Sequence, residues 1–310
     1  MSRFTFVYLD NMNLSISHLE QLSGVPTHTI RIWERRYNAL SPDRSEGNTR
    51  IYTDQHLKRL LDIVSLVQSG VKISNACAFS DFQVGEFLEK EIDKTVSTNT
   101  HFEFYVSQLL KFGIAYNEQK FSEILNTCIA NYGLDTCYQQ MIYPLLQRIG
   151  LLWRKEDVCP GQEHFLTSII RQKLMVAIDQ ISLNTQVKST WLLFLPEDEE
   201  HDIALLYASY ILRTNGFKVI YLGEKVPLSS IESVVNNNKI DHLLFFMVRQ
   251  RPIAEANEYI QNLITKYGDS KIHISGNSSL LHSLDLDQKV NYFKSIPIFQ
   301  SYLQNISYAN

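Results

Sequence analysis

The pattern of apolar positions divides the chain into three blocks. In the first stretch, Ser15-Ile-Ser-His-Leu-Glu-Gln-Leu-Ser-Gly24 has helical periodicity and ends on a glycine. Val25-Pro26 makes a turn, and His28-Thr-Ile-Arg-Ile-Trp-Glu-Arg-Arg-Tyr37 reads as a second helix with Thr27 as its expected cap. Ile30 and Trp33 lie three apart on its inner face, while Arg31 and Arg35 lie four apart on another. Leu40 to Tyr52 reads as two short extended pieces around a polar, glycine-bearing turn, and Asp54 to Gln68 and Ile73 to Glu89 as supporting helices.

Glu91 to Thr100 is polar and aperiodic and is expected to be a linker. From 101 to 186 the pattern is helical, punctuated by Gly133, Gly150 and Pro160-Gly161, which predicts a four-helix bundle with Tyr116, Tyr138 and Tyr143 inside it. From 187 to 310 the period shortens. Trp191–Leu195, Phe217–Leu222, His242–Val248, Lys271–Ser275 and Val290–Phe293 read as strands, with helices near 199–214, 228–237 and 254–267 between them. Alternation of this kind predicts a doubly wound α/β domain with a parallel sheet. The expected fold is thus multidomain: an all-α winged helix-turn-helix head within 1–90, the bundle, and the α/β domain.

Charge sharpens the reading of the head. The whole chain carries a net charge of −4, yet residues 25–60 hold seven Lys/Arg against four Asp/Glu, a local net of +3. A helix, a glycine-containing turn and a second, basic helix form a helix-turn-helix, whose second helix can enter a major groove. The expected DNA contacts are Thr27, His28, Arg31, Arg35, Arg36 and Tyr37 on that helix, with Arg44, Asn48, Arg50 and Tyr52 on the wing.

Candidate chemistry elsewhere is sparse. Cys77, Cys128, Cys137 and Cys159 make no CxxC pair and are expected as small hydrophobes of a reducing, cytoplasmic environment. The amino terminus has no apolar signal region, and no stretch is long enough to span a bilayer. No Ser-His-Asp, P-loop or zincin pattern occurs, so the chain is not expected to be an enzyme. Two constellations remain. Trp153 is followed after nine residues by Glu163-His164, and Glu199-Glu-His201-Asp202 falls in the loop after the first parallel strand, where ligands of such sheets bind. A neutral imidazole at His201 can give a lone pair to a metal while Glu199 or Asp202 orients it.

Thr29-Ile-Arg-Ile-Trp-Glu-Arg-Arg-Tyr37, Pro42-x-Arg44 and Gly47-x-x-Arg50-x-Tyr52 resemble the head of the MerR family of regulators, in the branch that includes the B12-dependent carotenoid-operon repressors. Trp153, Glu163, His164, Glu199 and His201 stand at matching positions of that branch. The resemblance implies a homo-oligomeric repressor, dimer or tetramer, on a double-stranded operator. It implies adenosylcobalamin as cofactor, His201 as the lower cobalt ligand, Trp153, Glu163 and His164 against the upper face, and a response to light. Four residues depart from the branch pattern. Ala204 replaces a glycine, and Arg154 stands where some members have histidine. Phe246 takes the place of a serine lining the slot for the nucleotide tail, and Ser275-Gly276 replaces Gly-Gly. These departures leave two alternatives open: a MerR-like regulator that has lost the corrinoid, and a corrinoid-carrying methyltransferase subunit.

Overall fold

The computed structural model describes residues 14–45, 47–68, 70–87, 102–153, 160–182, 188–249 and 251–308. The expected linker 91–100, Arg154 and Cys159 lie outside these residues, as does the amino terminus. The chain divides into two compact units, 1–169 and 170–310.

In the first unit, α1 (Ile16–Ser23) starts where Ser15 accepts from the His18 amide and His18 Nδ1 accepts from the Ser15 amide. It ends at Gly24, whose φ of 73° is left-handed and costs glycine nothing. Helix α2 (Thr27–Tyr37) follows Pro26, and Thr27 is its first residue instead of its cap: no side-chain capping bond is made. Proline performs the start by fixing the backbone angle. Ile30 is fully buried and Trp33 half-buried, on the inner face as their spacing requires. Strands β1 (Asp43–Arg44) and β2 (Arg50–Ile51) pair antiparallel, and Leu14 bridges to Tyr52 beside them.

Helix α3 (Asp54–Gln68) has the expected bounds. The helix expected over Ile73–Glu89 is broken, with α4 (Ile73–Ala78) ending early and Phe79 extended. Ser80 and Gln83 then exchange capping bonds that start a new helical stretch, 81–87. Arg59 of α3 donates to the carbonyls of Cys77 and Phe79, closing the end of α4.

The bundle comprises α5 (Phe102–Ile114), α6 (Glu118–Cys137), α7 (Tyr143–Trp153) and α8 (Pro160–Asp179), with a π-helical turn at Tyr138–Ile142 between α6 and α7. Gly133, with φ 77° and ψ 156°, is non-helical and breaks α6 into two helical stretches across a kink, whereas Gly150 lies inside α7. Tyr138 is buried as expected, whereas Tyr116 and Tyr143 are exposed large side chains, so only one of the three packs the interior. Helix α5 packs against α3, where Lys111 Nζ donates to Asp62 Oδ1 at 2.6 Å.

The second unit holds β3 (Thr190–Pro196), α9 (Ile203–Thr214), β4 (Lys218–Val226), α10 (Leu228–Asn237), β5 (His242–Met247), α11 (Ile253–Tyr267), β6 (Lys271–Gly276), α12 (Ser278–His282), β7 (Val290–Tyr292) and α13 (Ile296–Tyr308). All pairings in the five-stranded sheet are parallel, in the order β4-β3-β5-β6-β7. Leu192, Phe194, Leu243, Phe245, Met247, Ile272 and Ile274 share one buried cluster with Ile231, Ile260 and Leu263. Burying each such side chain contributes roughly 1.5–3 kcal/mol. On the opposite face the Trp191 ring stacks on His242 at 4.1 Å and on His273 at 4.8 Å. Phe293 stacks on His273 from the other side, and Phe299 of α13 packs on Phe293.

Candidate functional site

On α2 the side chains of His28, Arg31, Arg35 and Arg36 are exposed or partly so, as are those of Thr27 and Tyr37. Arg35 and Arg36 fall in the last turn, where the helix dipole favours positive charge. On the wing, Arg44 is exposed and donates to Asn48 Oδ1 at 2.5 Å; Asn48 holds the turn with a left-handed φ of 60°.

Tyr52 does not share this exposure. Tyr52 is 0% exposed, and its hydroxyl donates to Glu34 Oε1 at 2.6 Å. Burial, reinforced by the hydrogen bond to Glu34, pushes its phenol well above the usual range. Arg50 Nε lies 3.2 Å from Glu34 Oε2. The expectation that Tyr52 meets DNA is therefore corrected: a buried hydroxyl already given to Glu34 cannot reach a phosphate. Its role is to fasten the wing to α2.

The bundle constellation is seen in part. Trp153 ends α7, and its side chain lies outside the described residues. Glu163 and His164 occupy the first turn of α8, with Glu163 Oε2 at 3.3 Å from His164 Nδ1 and the imidazole exposed.

The structure brings Glu199 and His201 of the second-unit constellation together. Residues 199–202 form a loop at the carboxyl end of β3, and the expected helix start is four residues too early, because α9 begins only at Ile203. Glu199 is fully buried there. One carboxylate oxygen, Oε2, accepts from the amides of Val248 and Arg249, each at 2.8 Å, and lies 3.4 Å from Arg251 Nη2. The other, Oε1, takes a short hydrogen bond with His201 Nδ1. Burial raises the Glu199 pKa, but the bonds from His201 and the two amides outweigh it and hold the carboxyl down at about 2. An anionic carboxylate can only accept, so Nδ1 bears the proton of this bond, and in the neutral ring Nε2 would carry the lone pair a metal could use.

Asp202 does not share in this. It accepts two bonds from Arg171 Nε (3.0 and 2.9 Å) and one from Nη2 at 2.8 Å, a fork that consumes the carboxylate. Of the two acids expected to orient the imidazole, Glu199 is the one that does so.

Phe246, Ser275 and Gly276, expected by resemblance to line the slot for a nucleotide tail, lie in the paired strands β5 and β6. Phe246 is half-buried opposite Ser275 in the register of β5 and β6. Ser275 Oγ donates to the Phe293 carbonyl at 2.8 Å. Gly276, at φ 134°, brings its backbone so close to β5 that a Cβ would sit 2.2 Å from the Met247 carbonyl oxygen. The glycine is required by contact within the protein itself.

Residues 14–78 match the MerR HTH family of regulatory proteins, and residues 106–177 match the family described as B12 binding domain. The HTH-type transcriptional repressor CarH of Myxococcus xanthus is 30% identical over 246 residues, 78% of this chain and 81% of its own length. The chain belongs to the MerR family. It is a DNA-binding transcriptional regulator equipped with a B12-binding domain. The repressor CarA of the same organism is 24% identical over 267 residues, 86% of this chain and 87% of that protein. The Methanosarcina barkeri monomethylamine corrinoid protein superposes with a TM-score of 0.52 at 13% identity, covering 65% of this chain and 98% of its own; that likeness speaks to fold. With repressors as curated relatives and a MerR head in place, this MerR-family protein is a regulator and not a methyl-transfer subunit. Among the described residues, no helix is long and apolar enough to cross a membrane. Sequence reasoning missed Arg251, whose only signal was its place, with Arg249, just after an apolar strand. It also missed α13, although Ile296, Phe299 and Leu303 show helical spacing.

Proposed function

We propose that this protein is a homo-oligomeric repressor whose corrinoid occupancy controls its hold on an operator. The observation that carries the reading is the His201–Glu199 pair, an imidazole with Nδ1 committed to a buried carboxylate at the mouth of a parallel sheet. That donor set suits cobalt, which takes a neutral imidazole nitrogen whose other nitrogen is anchored. By resemblance, Trp153, Glu163 and His164 contact the cofactor as well, and adenosylcobalamin is the form taken. The bound corrinoid would supply a cobalt–carbon bond that light can break. On this reading the chain comprises a head within 1–90, a linker over 91–100, a bundle over 101–186 and an α/β domain over 187–310.

DNA recognition follows from the head alone. Arg31 and Arg35 reach base edges, and Arg36, Arg44 and Arg50 meet phosphates. Control requires that the corrinoid bind the DNA-competent assembly more tightly than the other, since equal affinities shift nothing.

A second reading, regulation without a corrinoid, is favoured by Phe246 and Ser275, which fill and tie the sheet face where a nucleotide tail would enter. Incubation with adenosylcobalamin in darkness followed by desalting separates the two. Retained visible absorbance that falls in His201→Ala supports the first; a colourless wild-type protein establishes the second.

A further inference from the structure

We infer that Arg251 is a positioning residue for His201, acting through Glu199. The inference rests on the reading of His201 as a cobalt ligand and adds the residue that sets how the ligand is presented. Arg251 lies in the loop between β5 and α11, with a side chain only 7% exposed. Its guanidinium forks across two acids of the β3–α9 loop. Nη1 donates to Asp198 Oδ1 at 2.9 Å, and Nη2 lies 3.4 Å from Glu199 Oε2.

The fork does two things. It supplies a full positive charge on the side of Glu199 facing away from His201, where the Val248 and Arg249 amides supply only dipoles. A buried carboxylate stripped of such a partner is left poorly compensated. It also joins the β3–α9 loop to the β5–α11 loop at two points, so that Oε2 is held and Oε1 is left to face His201 Nδ1. A planar, five-donor group can bridge both acids at once, whereas the compact ammonium of lysine can serve only one of them well. Arg251 thereby selects the imidazole tautomer that has its proton on Nδ1 and its lone pair on Nε2.

The test uses the full-length protein and two variants, Arg251→Met, which keeps the packed stem, and Arg251→Lys, which keeps the charge. The first readout needs no cofactor: ring nitrogen NMR shifts of His201 in neutral solution report which nitrogen is protonated. Wild type is expected in the Nδ1–H form, Arg251→Met in a mixture with Nε2–H, and Arg251→Lys between them. The second readout is the visible spectrum and retention of hydroxocobalamin. Arg251→Met should weaken histidine-ligated binding by about 10-fold, the low end for loss of a residue behind a metal ligand. Unchanged tautomer and unchanged retention in a folded Arg251→Met protein would overturn the inference. Should Arg251→Met fail to fold, wild-type tautomer and retention in Arg251→Lys would overturn it, and intermediate values would support it. A wild-type protein that binds no hydroxocobalamin through His201 defeats the ligand reading instead, and the tautomer measurement still decides the role of Arg251.

Discussion

Tyr52 on the wing and Glu34 on the recognition helix are joined by a 2.6 Å hydrogen bond in a setting where the tyrosine is wholly buried. Glu34 also receives Arg50, so one carboxylate ties two residues of the wing to α2. The angle between wing and helix is therefore set by the fold before DNA arrives. Tyr52→Phe should lower stability by about 1 kcal/mol, with a larger loss if the freed carboxylate stays buried. Urea unfolding measures it, and an unchanged midpoint would remove the bond from the account.

Arg31 and Arg35 lie on the face of α2 that bears no buried residue. Arg31→Ala or Arg35→Ala should each cost roughly 1–3 kcal/mol of specific operator binding if its guanidinium reads a guanine edge. Competition against unrelated DNA distinguishes the roles. An equal loss on both sequences would make that arginine a phosphate contact.

Lys111 and Asp62 make an ion pair in which the aspartate side chain is only 9% exposed. Burial drives the Asp62 pKa upward, opposed by Lys111. Lys111→Met should therefore destabilise the first unit by about 3 kcal/mol, because it strands a buried charge. Adding Asp62→Asn should recover part of that loss. A double variant no more stable than the single one would contradict this.

His242 and His273 share a 3.0 Å hydrogen bond inside the sheet. Burial holds their pKa values down, to about 4 for His242 and about 2 for His273. Both are neutral when folded, while the unfolded chain takes up protons below the ordinary histidine value of 6.5. The sign is then fixed: their contribution is complete above pH 6.5 and is lost as pH falls, towards about 4 for His242 and about 2 for His273. The slope should approach about 1.4 kcal/mol per pH unit for each histidine. Urea unfolding from about pH 7.5 to about pH 4.5 should show this fall in wild type and a flatter profile in the His242→Phe/His273→Phe double variant. Parallel profiles would refute it.

Much of this was legible in the residues, for identifiable reasons. Periodicity and the Ser15 and Gly24 caps are local signals, and α1, α2 and α3 stand within a residue or two of their expected bounds. The strands followed from continuous apolar runs. What escaped depends on distant partners. The break at Phe79 needs Arg59 of another helix to close it. Tyr52 reads as a surface aromatic until Glu34 is found beneath it. Glu199 resembles a helix-starting residue, yet amides 49 and 50 positions away draw it into a loop. Asp202, equally well placed in sequence for the histidine, belongs to Arg171.

The link between cofactor and DNA is best tested by the fluorescence anisotropy of a labelled fragment from the protein's own upstream region. It should be titrated in darkness with and without adenosylcobalamin. Occupancy should tighten operator binding by about 10-fold, equivalent to roughly 1.4 kcal/mol of coupling, and His201→Ala should erase the difference. Identical isotherms from a protein shown to carry the cofactor would contradict the account.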